Sequence, residues 1–306
     1  MKLLLTGASG FIGRNLLLKI PKEWDVIATY HESRDFTHFV TEKALNNVRE
    51  VQVDLQNESE TRRKLRESFD CTIHLAANTD MALSSRNPQT DLLLNVMTLL
   101  NTVKATKTKD LIFMSSGAVY DGCKGLVSPN VSLNPSFPYA ISKLICEHYV
   151  SFFKKKGLID RYVILRFFGA YGPYEAPTKF FSKLVKAFYL EKSPEFVVIG
   201  DGNNLIDAMY IEDATEGILS VLRSDVRDVT VDFTSGKPLT INELVGKIAK
   251  MFGQKKVKVR HKGQPVEYNN FYASGKHMET LYGFKPTTPL EVGIWKLAKW
   301  LEKKHA

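Results

Sequence analysis

Cysteine is scarce in this chain of 306 residues: Cys71, Cys123 and Cys146 are all there are. They are widely spaced, odd in number and contain no Cys-x-x-Cys pair, which supports neither a disulfide framework nor a structural zinc site. A reducing, cytoplasmic setting is therefore expected. No apolar run approaches membrane-spanning length, and the three leucines between Lys2 and Thr6 are too few for a signal peptide. No membrane partner is expected. Internal repeats and low-complexity tracts are missing as well. So are a Gly-x-Ser-x-Gly nucleophile elbow and a His-Glu-x-x-His metal helix, and no metal is expected. The net charge of +9 is spread along the chain, with its densest run at Lys154-Lys155-Lys156. No basic stripe is interleaved with aromatics, so nucleic acid is not an expected partner, and the distribution of the charge decides little else.

With 44% hydrophobic and 25% charged residues, the chain can bury a full core. An apolar run over residues 1–5 leads into Thr6-Gly7-Ala8-Ser9-Gly10-Phe11-Ile12-Gly13 and then the periodic Leu16-Leu17-Leu18-Ile20. Strand, glycine turn and helix in that order form the setting a phosphate-binding loop requires. Gly7 permits the tight turn, Gly10 the close approach of a pyrophosphate, and Gly13 the packing of helix on strand.

Further strands are expected at 25–29, 50–53, 71–75, 110–114 and 162–165, with helices at 58–68, 88–106 and 139–156 between them. Such alternation gives an α/β fold with a Rossmann-like, doubly wound parallel sheet. After Tyr171-Gly172-Pro173 the rhythm loosens, with helices near 178–190, 211–224, 240–252 and 289–304 and short strands near 196–199 and 230–233. Residues 1–172 read as a cofactor-binding domain and 173–306 as a smaller, mostly helical substrate domain, with segments near 205–225 packing back on the first.

Pro138-Tyr139-Ala140-Ile141-Ser142-Lys143 puts a phenol and an ammonium one helical turn apart on one face. Unit charges about 4 Å apart at an effective dielectric of about 20 attract by about 4 kcal/mol. On that arithmetic Lys143 brings the Tyr139 phenol towards neutrality.

The chain resembles the extended short-chain dehydrogenases/reductases, the group of nucleotide-sugar epimerases, dehydratases and ketoreductases. The resemblance covers essentially its whole length. It rests on Thr6-Gly7-x-x-Gly10-Phe11-x-Gly13, Val53-Asp54-Leu55, His74-Leu75-Ala76-Ala77, Asn95, Ser115-Ser116-x-x-Val119-Tyr120, Tyr139-x-x-x-Lys143, Arg166, Tyr171-Gly172-Pro173, Gly200-Asp201-Gly202 and Gly283-Phe284-x-Pro286.

By resemblance, Ser116, Tyr139 and Lys143 are the catalytic set. Tyr139 moves the proton at a sugar oxygen, Ser116 binds the same oxygen, and Lys143 holds the nicotinamide ribose. Gly7, Ser9, Gly10, Phe11, Ile12 and Gly13, together with Asp54, Leu55, Leu75, Ala76, Ala77 and Asn95, would hold the cofactor. His74 is read as a core histidine. At the end of the second strand stand Tyr30, His31, Glu32, Ser33 and Arg34. With no carboxylate at the aligned position and a histidine and an arginine close by, NADP is preferred and NAD is the alternative.

Departures from the family narrow the reaction. Gly117-Ala118 stands where 4,6-dehydratases carry an Asp-Glu pair, and elimination needs a base at one carbon and an acid at the next. Hydride transfer without elimination remains, as in a 4-ketoreductase or 4-epimerase, and Tyr120-Asp121-Gly122-Cys123-Lys124-Gly125 leans towards reduction. Gly169 and Ile206 replace an asparagine and an arginine that often contact the nucleotide diphosphate, a loss of charge-assisted contacts. Ser116, Gly169, Lys179 and Asp207 are the substrate candidates, with Lys183 and Arg260 as further cations. Glu147 and His148 read as ordinary helix residues. A cofactor-binding sensor without turnover is the alternative function, and a homodimer through helices 88–106 and 139–156 is expected by resemblance.

Overall fold

The computed structural model describes residues 1–254, 256–264 and 270–305. The chain divides into two compact units: the first comprises Met1–Asp121, Leu133–Phe167 and Leu222–Val231, and the second Gly122–Ser132, Phe168–Val221 and Asp232–Ala306.

In the first unit, β1 (Lys2–Thr6), β2 (Asp25–Tyr30), β3 (Val48–Gln52), β4 (Ser68–His74) and β5 (Lys107–Ser116) form one sheet with Ile159–Phe167 and Val229–Phe233. The order runs β3, β2, β1, β4, β5, Ile159–Phe167, Val229–Phe233. Parallel registers such as Leu4↔Ile27, Leu5↔Ile73 and Ile112↔Val163 align the apolar runs. Leu3, Leu4 and Leu5 are fully buried, as strands covered on both faces require. Strand order reverses on either side of β1, and this switch point is where α/β sheets bind ligands. The strand near 230–233, assigned from rhythm to the second domain, is an edge strand of this sheet. Its polar Thr230 and Asp232 gave no continuous apolar run to mark it as such.

Two helical layers support the β5 side. Pro88–Leu92 and Thr98–Ala105 continue through a π-helical turn at Leu93–Met97, and Pro138–Lys155 begins with proline at a first-turn position. Val96, Leu99, Val103, Cys146, Val150 and Phe153 pack with Leu111, Phe113 and Ile164 in one buried cluster. Removing a Leu or Phe from such a cluster costs about 2–5 kcal/mol.

The second unit carries Phe180–Val185 with a π turn at Lys186–Leu190, Ile241–Met251, Lys276–Tyr282 and Leu290–His305. Ile241–Met251 starts at a capping box: Thr240 Oγ1 accepts from the Glu243 amide, and Glu243 accepts from the Thr240 amide. Glu195–Ile199 pairs in parallel with Lys258–Lys262, a strand with no apolar periodicity to announce it. Among the described residues no helix is long and apolar enough to cross a membrane, and no group of three or more His, Cys, Asp or Glu could hold a metal.

Candidate active site

The glycine loop follows β1 and opens α1 (Phe11–Leu17). Gly7 sits at φ +65°, and a Cβ there would lie 2.7 Å from the Ala76 amide nitrogen. Only glycine allows this approach of the loop to the end of β4. A Cβ on Gly13 would lie 2.5 Å from the Ala8 carbonyl oxygen, so this glycine lets α1 pack on its own loop. Thr6 Oγ1 accepts from the Ala76 amide at 3.2 Å and lies 3.0 Å from His74 Nδ1. Burial, with the Lys143 ammonium adding to it, pushes the His74 pKa down to about 3, so the imidazole is a neutral core group.

A cavity of about 270 Å³ opens beside the loop. Gly7, Ser9, Tyr30, His31, Asp54, Leu55, Ala76 and Ala77 line it, all of them expected cofactor residues. Phe11, Ile12 and Gly13 form the helix start, and Leu75 donates its amide to the Thr6 carbonyl. Glu32 and Val53, named above in their motifs, line the cavity too, and so do Thr29, Gln56, Leu94 and Thr98, which the sequence did not single out. Arg34 is exposed and is not one of the lining residues. Instead Arg14, buried behind the loop, donates to the Ser9 carbonyl at 2.8 Å and to Asp35 at 2.7 Å, and its charge holds the Asp35 carboxyl below the usual range against burial.

Asn95 is buried in a network of side chains. Its Oδ1 accepts from the Asn78 amide at 2.9 Å, and its Nδ2 donates to Asp91 at 2.9 Å and to Ser142 Oγ at 3.0 Å. Among these contacts it braces the π turn against the helix of Tyr139 and Lys143.

Ser116 ends β5, and its Oγ accepts from the Ala118 amide at 3.1 Å. The same hydroxyl acts on the Tyr139 phenol, favouring its charged form. Tyr139 is 7% exposed and packs on Ala118, Ala140 and Phe137. Lys143, 4% exposed, donates to the Met114 carbonyl at 2.9 Å and lies 5.1 Å from the Phe113 ring centroid. This corrects the electrostatic expectation. Burial raises the Tyr139 pKa above the ordinary tyrosine value, with the Ser116 hydroxyl opposing it, and burial lowers that of Lys143. The shared helix face is as expected, but the long lysine stem delivers its charge to a strand carbonyl, and desolvation governs both groups.

One residue read as ordinary is not. Glu147 is 6% exposed and pairs with Arg166, Nη2 to Oε2 at 2.8 Å. Its spacing is the signal that could have found it: 139, 143 and 147 fall on one helical face.

In the second unit, Gly169 adopts φ +145°, a conformation that disfavours a side chain whatever the space. Asp207 accepts from the Ser235 amide at 2.9 Å, the Gly236 amide at 3.0 Å and the hydroxyls of Thr234 and Ser235. Its carboxylate thus organises that loop. Lys179 precedes the helix Phe180–Val185 as its N-cap, Lys183 is exposed on it, and Arg260 pairs with Glu195 at 2.8 Å. Ile206 lines a second cavity, of about 280 Å³, with Tyr171, Phe181, Tyr210 and Leu244.

A family model described as the NAD dependent epimerase/dehydratase family matches residues 3–232. The chain belongs to that family. It is an enzyme of the extended short-chain dehydrogenase/reductase type, with the Rossmann-like sheet expected of one. A protein from Methanocaldococcus jannaschii named putative UDP-glucose 4-epimerase is 28% identical, with 99% of each chain covered. The uncharacterized UDP-glucose epimerase YtcB of Bacillus subtilis is 29% identical over 96% of each. Among solved structures, a mutant UDP-glucuronic acid 4-epimerase from Bacillus cereus, in complex with NAD and UDP-4-deoxy-4-fluoro-glucuronic acid, superposes with a TM-score of 0.85 at 26% identity. The superposition covers 99% of this chain and 100% of that one.

Proposed function

We propose that the chain is a nucleotide-sugar 4-epimerase that removes a hydride from C4 of a UDP-hexose and returns it to the opposite face. The observation that carries this reading is the Ser116 hydroxyl at the end of β5 acting on the buried Tyr139 phenol of the helix Pro138–Lys155, in the unit that holds the glycine-loop cavity. The names of the relatives agree with it, and so does Gly117-Ala118, which leaves no carboxylate pair for elimination.

The residues present fit a dinucleotide: Gly7 keeps open a space that a Cβ would fill, and Asp54 and Leu55 wall the cavity. NAD bound there would supply the hydride acceptor. For the cofactor itself, Glu32 lines the cavity beside Tyr30 and His31 while Arg34 lies outside it. A carboxylate repels a 2′-phosphate and accepts from ribose hydroxyls, so we favour NAD over the NADP expected from the sequence.

The chain's own chemistry is proton movement at the sugar C4 oxygen. With its pKa raised by burial, Tyr139 is a phenol, ready to donate to a keto oxygen. To take the proton of a C4 hydroxyl it must first ionise, and Lys143 carries the cation on its helix face. Release of that ammonium from Met114 towards the phenol would lower the tyrosine pKa. Ser116 would hold the C4 oxygen as its charge develops.

Exposed Leu92, Leu93, Ile141, Tyr149 and Phe152 on the two helices Pro88–Ala105 and Pro138–Lys155 support a homodimer, which light scattering at micromolar concentration tests. The free cysteines are in keeping with a reducing cytoplasm.

The enzyme should convert UDP-glucose, UDP-glucuronic acid or UDP-N-acetylglucosamine to its C4 epimer with catalytic NAD, followed by proton NMR. Stoichiometric consumption of NADPH with a 4-keto sugar would instead make it a ketoreductase. Cofactor binding without turnover on either panel would make it a sensor.

A further inference from the structure

We propose that the buried Glu147–Arg166 pair is a positioning device that aims the Ser116 hydroxyl at Tyr139. The proposal rests on the reading that these two side chains carry the proton chemistry.

The pair joins three pieces of backbone inside one unit. Glu147 lies on the helix Pro138–Lys155, two turns beyond Tyr139 and one beyond Lys143. Arg166 lies near the end of the strand Ile159–Phe167. Its Nε donates to Glu147 Oε1 at 3.1 Å and its Nη2 to Oε2 at 2.8 Å, a two-point contact that fixes the angle between helix and strand as well as their distance. The third piece carries Ser116. On one side of it, Ser115 Oγ donates to Glu147 Oε1 at 2.5 Å. On the other, Arg166 Nη1 donates to Tyr120 Oη at 2.9 Å, at the end of the turn Gly117–Tyr120, with the guanidinium 5.0 Å from that ring centroid. Ser116 is thus held from both flanks by the two ends of one ion pair, whose Glu147 end lies on the helix that carries Tyr139.

Stability does not explain this choice of residues. Glu147 is 6% and Arg166 5% exposed, and a buried ion pair is often matched or bettered by well-packed apolar side chains of similar size. Apolar contacts, however, do not fix direction, and misplacing a reacting group by about 1 Å can cost about 100-fold in rate.

The test is the double variant Glu147→Leu/Arg166→Met, which removes both charges together and leaves no unpaired ion. Its thermal midpoint should stay near that of the wild type, while kcat for C4 epimerisation falls about 10- to 100-fold with KM within about twofold. The pH at which the rate titrates should move upwards, because a displaced Ser116 hydroxyl opposes the raised Tyr139 pKa less. A purely structural pair would change the midpoint and the active fraction but neither the kcat-to-KM split nor the inflection. If the double variant does not fold, Tyr120→Phe, which deletes one bond, should lower kcat about two- to fivefold with the same upward shift. A folded variant with wild-type kcat and inflection overturns the proposal. Tyr139→Phe separates this from the underlying reading: if it leaves the rate unchanged, the assignment of Tyr139 fails instead.

Discussion

Two buried carboxylates, one in each unit, show how differently the chain treats the same group. Glu147 faces a guanidinium bonded to both its oxygens and receives the Ser115 hydroxyl. Glu175, equally buried at 6% exposure, receives the Ser182 amide at 2.8 Å and hydroxyl at 2.6 Å, with the Lys179 charge only a minor influence. Burial therefore raises the Glu175 pKa to about 7. The first carboxylate meets a guanidinium and a hydroxyl that together occupy both its oxygens. The second is strained as a charge and comfortable as an acid. Burial alone does not define a role; the partner does.

The largest expected effect lies at the group that the paired region surrounds. Tyr139→Phe should lower kcat about a thousandfold, the scale of a lost general acid/base, while the urea midpoint falls little. A large loss of stability with proportionate loss of rate would make Tyr139 a packing residue. Next comes Glu147→Ala, which strands the Arg166 charge in the interior and should cost about 4 kcal/mol in urea unfolding. A cost under about 1 kcal/mol would mean that water reaches the pair.

Glu175→Gln should act in the opposite direction. A pKa raised from 4.5 to about 7 means that the stabilising contribution of Glu175 is complete below pH 4.5 and is lost as pH rises towards 7. The variant should match the wild type near pH 4.5 and exceed it by about 3 kcal/mol at pH 8, read from urea curves at both values. Equal curves at pH 8 would place Glu175 in a more polar setting. The smallest effect is expected for Ser182→Ala, which removes one of the bonds favouring the charged form. It should cost about 1 kcal/mol at pH 8 and less at pH 4.5. A loss independent of pH would mean the hydroxyl serves packing alone.

The same contrast explains what could be read from the sequence. Motifs whose logic is local were legible: the glycine loop, where Gly7 and Gly13 answer to contacts of the backbone itself, and the strand–helix alternation that gives the parallel sheet. The residues beside the glycine loop could be placed as well, since Asp54, Leu55, Ala76 and Ala77 follow the strand ends that line one cavity with it. Properties that depend on what a side chain meets across the fold were not legible. Lys143 shares a face with Tyr139, yet the carbonyl it reaches belongs to Met114 on another element. Nothing in the sequence around Asp207 announces the loop Thr234–Gly236 that bonds to its oxygens. Glu147 looks like any acidic helix residue until Arg166 arrives from a neighbouring strand. Short elements without period, such as Lys258–Lys262 and Phe36–Glu42, were missed because their exposed or mixed faces leave no pattern to count.

The central claim is that Tyr139 and Ser116 serve a hydride that leaves C4 and returns to it. Incubation of the enzyme with a UDP-hexose and NAD in deuterium oxide, followed by NMR of the product, tests it most directly. The expected result is inversion at C4 with protium retained there, because the hydrogen never exchanges with solvent. Deuterium at C4, or a product that has lost water, would contradict it.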